Sequence, residues 1–240
     1  MSYQALLVFI ALLAVSLASY VLSYTTDMTR GVQVFTLCWG LLTASLFIGR
    51  FIRGHPLRIV ITGIIVLLLI SWACFAGRPP DRTQLRRAYI SRLLAYQGTF
   101  YLWGGETHIG IDCSGLAREA LCEAMLTRGI AEANPRLLGP QYWRFWWQDL
   151  SARGMLAGTN GYSRVVGGTE KIAGYSGEDL LPGDLAVVGS GYHVLIYLGN
   201  SRWIQASPDQ GKVAIGTATA DAQDGWFHMP VTFVRWKMLE

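Results

Sequence analysis

The chain has 240 residues, of which 52% are hydrophobic and 15% are charged, and its formal net charge is +4 at pH 7. Soluble domains usually have about a quarter of their residues charged, so an ordinary water-soluble globule does not account for the whole chain. The apolar and aromatic content excludes a disordered chain. Residues 1–77 hold one acid and four bases, whereas residues 78–240 hold 15 acids and 16 bases. Because this second part is balanced in charge, the sequence gives no indication of nucleic acid binding.

Three apolar segments without charged residues or histidine occupy the first part of the chain, at about 6–24, 31–49 and 59–77. Each is close to 20 residues long, and about 20 helical residues cross the hydrocarbon layer of a bilayer. The sequence therefore predicts a transmembrane anchor of three helices over 1–77, with the lipid bilayer as a partner. A cleaved signal peptide is the alternative for the first segment, although the basic region that begins such a peptide is missing.

The arginines beside these segments give conflicting indications of orientation. Arg50, Arg53 and Arg58 lie between the second and third segments, whereas Arg30 is the one base between the first and second. By the positive-inside rule, this places the C-terminal part outside the cytoplasmic membrane. Five arginines after the third segment favour the opposite orientation: Arg78, Arg82, Arg86, Arg87 and Arg92.

The rest of the chain is predicted to form one globular domain, 83–240, after a short linker at 78–82 that contains two prolines. Apolar residues at helical spacing predict a helix over 83–96 and a second helix that begins near Cys113. From residue 184 the pattern changes to short β-rich runs: 185–188, 194–198, 202–206, 213–215 and 231–236. Helices followed by sequential strands imply an α+β fold, with the helices packed on an antiparallel sheet.

Residues 134–178 interrupt this order and are predicted to be an irregular insertion. They contain an aromatic run at 141–147 and then a glycine-rich stretch at 154–177. One interpretation of the run is a helix whose tryptophans join the core. The other is a lid over a cleft, or a surface that contacts the membrane interface or a protein partner.

Cys113 is the candidate nucleophile, because it follows the Gly104-Gly105 loop and begins the second predicted helix. Free backbone N–H groups and the helix dipole favour the thiolate at such a position. An inert buried thiol is the alternative, and it is the interpretation that fits Cys122, about 13 Å further along the same helix. The four cysteines and four histidines show no zinc-binding spacing, so neither a metal nor another cofactor is expected.

His193 is the candidate base, because it opens a predicted strand that can hold it rigidly at a cleft. A base needs an orienting partner on its other ring nitrogen. A hairpin at Gly199-Asn200 is predicted to bring Gln205 roughly opposite 193–194, where its amide oxygen can accept a hydrogen bond from the imidazole. A structural histidine and a surface glutamine are the alternatives.

Together these motifs resemble the NlpC/P60 family, papain-like cysteine peptidases that act on bacterial cell-wall peptides. The resemblance covers roughly 83–236, with little similarity over 134–178. It lies in five segments, in this order: Tyr101 with Gly104-Gly105, 112–116, 181–185, 193–199 and 204–206.

The resemblance implies a role for each matching residue. Cys113 is the nucleophile, His193 the general base, and Gln205 the third polar residue, a position that is most often histidine in the family. Tyr101 matches a tyrosine that reaches the cysteine and helps to hold the oxyanion.

Asp112 and Ser114 match positions that contact the substrate, including the free amine of a stem peptide in some members. The resemblance thus implies an endopeptidase for peptidoglycan stem peptides or muropeptides, whose usual bond joins γ-D-glutamyl to a diamino acid. With the anchor, this predicts a multi-pass protein of the bacterial cytoplasmic membrane whose catalytic domain faces the outer, periplasmic side.

Three alternatives remain open from the sequence. One is an amidase of the related CHAP type, and another is a cytoplasm-facing hydrolase of recycled muropeptides. The third is a non-catalytic membrane scaffold that uses a degenerate peptidase fold to bind wall peptide or a protein partner. The 80-residue interval between Cys113 and His193 is longer than usual in the family, so the insertion is expected to reshape the cleft.

Overall fold

The computed structural model describes residues 79–240. The three predicted transmembrane segments and the first residue of the linker lie outside the described residues. Within 79–240, no helix combines the length and the apolar character needed to cross a bilayer. The chain divides into two units between residues 74 and 75, and the described residues belong to the second.

Two long helices, α1 (Arg82–Ala95) and α2 (Cys113–Ala131), form a layer on one side of the domain. Each begins at an aspartate, Asp81 or Asp112, whose carboxylate accepts hydrogen bonds from free N–H groups of the first turn. The two helices pack against each other, and Leu85, Tyr89 and Leu93 of α1 are buried. Both predicted helices are therefore confirmed, because the cap residues and the apolar spacing are local features of the sequence.

An eight-stranded sheet packs against this layer in the order β2-β1-β7-β6-β5-β4-β8-β3. Every neighbouring pair is antiparallel except β1 and β2, which are parallel. The five predicted strands agree with β4 to β8 within two residues at each end, and the α+β class is confirmed. The strands are β1 (Phe100–Tyr101), β2 (Gly110–Ile111), β3 (Ser163–Thr169), β4 (Leu185–Val188), β5 (His193–Gly199), β6 (Arg202–Ser207), β7 (Lys212–Thr217) and β8 (Val231–Trp236).

The hairpin between β5 and β6 forms, but its register differs from the prediction. The turn is made by Asn200 and Ser201, whose φ angles of 52° and 55° suit a two-residue hairpin loop. The observed pairing places Gln205 level with Leu195, two residues beyond His193. Since side chains alternate along a strand, this offset keeps both side chains on the same face of the sheet.

Most of 135–169 forms helices and a strand, so the prediction of irregular structure was wrong there, whereas 170–178 contain no helix or strand. The insertion contributes the edge strand β3, which pairs with β8. In the aromatic helix, Tyr142 and Phe145 are buried, but Trp143 and Trp147 are each 54% exposed. The interpretation that placed the tryptophans in the core is therefore wrong for these two. The helices of the insertion are α3 (Pro135–Leu138), α4 (Pro140–Trp147) and α5 (Ala152–Leu156).

Apolar residues cover both faces of the sheet. The larger cluster lies between the sheet and the helices and includes Ile196, Ile204 and Val234. The smaller cluster covers the opposite face and includes Trp203 and Phe233. Because α2 packs directly on β5 and β6, residues at the N-terminus of this helix can meet side chains carried by the two central strands.

Candidate active site

The start of α2 is fixed by a hydrogen-bond network around Asp112. One carboxylate oxygen, Oδ1, accepts from the backbone N–H of Gly115 at 2.6 Å and from the Ser114 hydroxyl at 3.0 Å. The other, Oδ2, accepts from the backbone N–H of Gly104 at 3.1 Å. Asp112 and Ser114, which were predicted to contact substrate, thus also hold Cys113 in place by joining the helix start to the preceding loop.

The same loop approaches α2 so closely that glycine is required. A Cβ atom at Gly115 would lie 2.5 Å from the carbonyl oxygen of Gly105, and one at Gly105 would lie 2.6 Å from the carbonyl oxygen of Gly110. Real Cβ atoms do not approach that near, so a larger residue would push the loop away from the helix. These contacts give a physical reason for the glycines in both motifs.

The structure brings Cys113 next to the beginning of β5 and to Tyr101. The backbone N–H of Val194, the residue after His193, donates a hydrogen bond to the Cys113 thiol. Tyr101 also lies near this thiol, and burial followed by the nearness of Cys113 and Asp112 raises the pKa of the tyrosine to about 12. The structure thus brings Cys113, the candidate nucleophile, next to Tyr101 and to the residue that follows His193.

His193 is held by a chain of side-chain hydrogen bonds. Its Nε2 lies 2.6 Å from Oε1 of Gln205, and Nε2 of Gln205 donates to Oδ2 of Asp224 at 2.6 Å. The Trp226 ring stacks on the imidazole, with 4.3 Å between ring centroids and 26° between the planes. His193 and Gln205 are each 2% exposed.

Sequence reasoning missed Asp224 and Trp226. Both lie in the 3-10 turn region that precedes β8, and Asp224 caps that turn through the backbone N–H of Trp226. A local capping pattern was visible there, but no periodic signal connects residue 224 with residue 205 on β6. Their contact exists only once the segment before β8 has folded over the sheet.

Burial is the largest cause of the pKa shifts of Cys113 and His193, the candidate nucleophile and base. It raises the pKa of the Cys113 thiol to about 11, with a further increase from the Asp112 carboxylate, while N–H donors of Val194 and Ser114 act in the opposite direction. Burial also lowers the pKa of His193, although Gln205 and nearby carboxylates oppose that shift. Both shifts favour the uncharged form of each group, the thiol and the imidazole, whereas helix position alone had predicted a thiolate.

These pKa shifts predict how the rate of Cys113 alkylation by iodoacetamide depends on pH. Peptide mapping measures that rate. The rate is expected to rise first as His193 loses its proton, below the ordinary histidine value of about 6.5, and again as the thiol ionises near pH 11. The variant His193→Ala should lose the first rise and keep the second. A single plateau from pH 4 upward in the wild-type protein would show a preformed thiolate and contradict this account.

The remaining candidate residues have other surroundings. Nε2 of His108 lies 2.9 Å from Glu123 on α2, and Nε2 of His228 lies 2.7 Å from the carbonyl oxygen of Ala222. Cys122 is 2% exposed, as a packing residue would be. His55 lies outside the described residues. Within 79–240, no group of three or more His, Cys, Asp and Glu side chains is arranged to hold a metal ion.

Comparison with known proteins agrees with this fold and arrangement. The model of the NlpC/P60 family matches residues 98–230, more than half of the chain. The chain therefore belongs to the NlpC/P60 family. No curated protein matches the chain.

Several solved structures are similar to the chain. NlpC1 from Trichomonas vaginalis is 18% identical, with 69% of this chain and 46% of that chain covered and a TM-score of 0.40. The peptidoglycan hydrolase RipB from Mycobacterium tuberculosis is 22% identical, with 66% of this chain and 68% of that chain covered and a TM-score of 0.40. The NlpC/P60 domain of the peptidoglycan hydrolase SagA is 24% identical, with 61% of this chain and 96% of that chain covered and a TM-score of 0.35. The chain thus spans about half the length of the Trichomonas protein.

Proposed function

We propose that the protein is a cysteine peptidase that hydrolyses amide bonds in peptidoglycan stem peptides. The observation that carries this proposal is the meeting of Cys113, at the start of α2, with the beginning of β5, where His193 is oriented by Gln205 at 2.6 Å. Family membership supports the choice of substrate, because RipB and SagA are described as peptidoglycan hydrolases.

In the proposed first half-reaction, the Cys113 sulfur attacks the carbonyl carbon of the scissile amide while its proton passes to His193. The nitrogen that receives the proton is Nδ1, because Nε2 is bonded to Gln205. Backbone N–H groups at the start of α2, with the Tyr101 hydroxyl, stabilise the oxyanion. His193 then protonates the leaving amine, and a thioester between Cys113 and the acyl part of the substrate remains.

In the second half-reaction, His193 takes a proton from water as the water oxygen attacks the thioester carbonyl. The carbon–sulfur bond breaks, and the sulfur regains its proton from the imidazole. The products are a carboxylic acid on one peptide fragment and a free amine on the other. No redox partner is needed for this sequence.

The predicted anchor adds a location to the proposal. We infer that residues 1–77 hold the domain at the outer face of a bacterial cytoplasmic membrane, because the stem peptides of the mature wall lie on that side. The support is the length and apolar character of the three segments and the arginines between the second and third. Protease added to intact spheroplasts should digest the domain, and protection of the domain would overturn this orientation.

The proposed reaction is tested by incubating the purified full-length chain with muropeptides of known structure and identifying the products by mass spectrometry. We expect cleavage inside the stem peptide, on the carboxyl side of the γ-D-glutamyl residue. Cleavage of the sugar–peptide amide would instead show an amidase. Binding without any product would show a non-catalytic scaffold, and either result would replace the proposal.

A further inference from the structure

The orientation of the Gln205 amide is determined by its second partner. A glutamine amide has one end that accepts and one end that donates hydrogen bonds, and the two can be interchanged by rotation. A carboxylate only accepts, so the contact of 2.6 Å with Asp224 Oδ2 assigns the NH₂ group to Asp224. The amide oxygen must then face His193, whose Nε2 carries the hydrogen, and Nδ1 remains free to take the thiol proton.

Asp224 is itself fixed in place. Its second oxygen, Oδ1, accepts from the backbone N–H of Trp226 at 3.0 Å and so caps the turn Gly225–His228. Phe227 of this turn is 1% exposed, and the turn is therefore anchored in the smaller apolar cluster. The carboxylate and the indole that stacks on His193 come from one rigid segment.

The environment of this chain of side chains makes the charge effective. His193 and Gln205 are buried, and a charge acts more strongly through a buried polar network than through water. A neutral amide orients imidazole but provides no charge to balance the imidazolium that forms when the thiol proton is transferred. Among the described residues, Asp224 is the carboxylate that is hydrogen-bonded to Gln205.

We propose that Asp224 is a positioning residue of the proposed hydrolysis: through Gln205 it selects the Nε2–H form of His193 and supplies the negative charge that a glutamine lacks. This inference rests on the proposed function. It explains how a glutamine can occupy a position that is most often histidine in the family. The glutamine orients the imidazole, and the Asp224 carboxylate bonded to it provides the negative charge.

Other groups near His193 must be separated from Asp224 in a test. The Gln205 amide contacts it from β6 and the Trp226 ring stacks on it from the turn before β8, while the Cys113 thiol of α2 accepts from the backbone N–H of the next residue, Val194. Asp209, in the turn between β6 and β7, acts on the imidazole through space in the same direction as Asp224. The variant Asp209→Asn therefore removes an equal charge without breaking the contact to Gln205, and it is the matched control.

The experiment compares the full-length wild type with Asp224→Asn, Asp224→Glu and Asp209→Asn. Two profiles against pH are recorded for each, kcat/KM for muropeptide cleavage and the rate of Cys113 alkylation. In Asp224→Asn we expect kcat/KM to fall roughly tenfold, about the effect of losing one hydrogen bond to a charged group. The acid limb of both profiles should move to lower pH, because His193 without the carboxylate holds its proton less tightly. Asp224→Glu should restore the limb, and Asp209→Asn should keep kcat/KM within about twofold.

If Asp224→Asn lowered the rate without moving the acid limb of the pH profiles, Asp224 would have a merely structural role and the proposal would be overturned. An equal shift of the acid limb in Asp209→Asn would overturn it as well. Should Asp224→Asn fail to fold, the ¹⁵N spectrum of wild-type His193 decides the matter. The Nε2–H tautomer is expected, and the Nδ1–H tautomer would contradict the proposal. The alkylation profile needs no substrate, so it tests Asp224 even if muropeptides prove not to be cleaved, a result that would refute only the proposed function.

Discussion

The variant Cys113→Ala is expected to hydrolyse muropeptides at least about 10³-fold more slowly than the wild type, because removing the nucleophile abolishes the covalent route. The side chain is small and lies at the N-terminus of α2, where the cap is provided by Asp112 rather than by the thiol. The fold should therefore survive the change. Initial rates at saturating muropeptide, together with a circular dichroism spectrum, measure both quantities.

Cys122→Ala is the matched control for this prediction. It removes a second buried thiol from the same helix, nine residues further along, and should leave the rate close to that of the wild type. If Cys113→Ala kept more than a tenth of the wild-type rate, the sulfur would not be the nucleophile. Equal losses in both variants would point to a general effect on the helix.

Arg118→Met is expected to lower the free energy of unfolding by about 3–5 kcal/mol, the range found when one partner of a buried ion pair is removed. Arg118 is 1% exposed on α2. Its guanidinium donates to the Asp149 carboxylate at 2.8 Å, to the Gln148 carbonyl at 3.2 Å and to the Glu119 carboxylate at 3.3 Å, and it also pairs with Glu106. Methionine fills much of the volume but removes the donor that these acceptors share. Denaturant unfolding of the full-length chain, followed by tryptophan fluorescence, measures the change.

Arg92→Met provides the comparison for Arg118. Arg92 belongs to α1, and its side chain is 39% exposed and 3.9 Å from Glu123. Exposed ion pairs contribute about 0–1 kcal/mol, so this variant should unfold almost like the wild type. Equal losses of stability in the two variants would show that the buried network around Arg118 is not a special support of the domain.

The Arg118 network also connects residues of the insertion with α2. Glu106 lies between β1 and β2, whereas Gln148 and Asp149 belong to the insertion, and all three meet the same guanidinium of α2. Asp149 is also near enough to Asp112 for its charge to raise the pKa of that carboxyl, although burial is the larger cause. Residues 148 and 149 of the insertion therefore lie beside α2, and the reshaping of the cleft by the insertion stays a prediction.

The features that could be predicted from the sequence are those determined by short stretches of chain. The cap Asp112, the glycine loop and the helical spacing after Cys113 are all contained in about 20 residues, and the β-rich runs of β4 to β8 are equally local. Short β-rich runs and helical spacing were sufficient for the α+β class, and the motif around Cys113 and the strand at His193 gave the nucleophile and base candidates. The predicted contact between Gln205 and His193 is present, although Gln205 lies opposite Leu195 rather than opposite 193–194. A glutamine side chain is long enough to span this offset along the strand.

The features that could not be predicted depend on contacts between distant segments. Asp224 approaches Gln205 only after the turn before β8 packs on the sheet, and β3 becomes a strand only because β8 offers it an edge. The Gly167-Gly168 pair of β3 was part of a stretch predicted to be irregular, yet a Cβ at Gly168 would lie 2.9 Å from the Val231 carbonyl oxygen of β8. The ionisation of Cys113 differed from the prediction because burial, which the sequence does not show, outweighs the helix start.

The central claim, that Cys113 forms a covalent acyl intermediate with a stem peptide, is tested most directly by rapid acid quenching of the wild-type chain with muropeptide, followed by peptide mapping with mass spectrometry. The account predicts a thioester on Cys113 whose added mass equals the acyl half of the cleaved substrate, and its absence in His193→Ala. Continued product formation with an unmodified Cys113 at every quench time would contradict it.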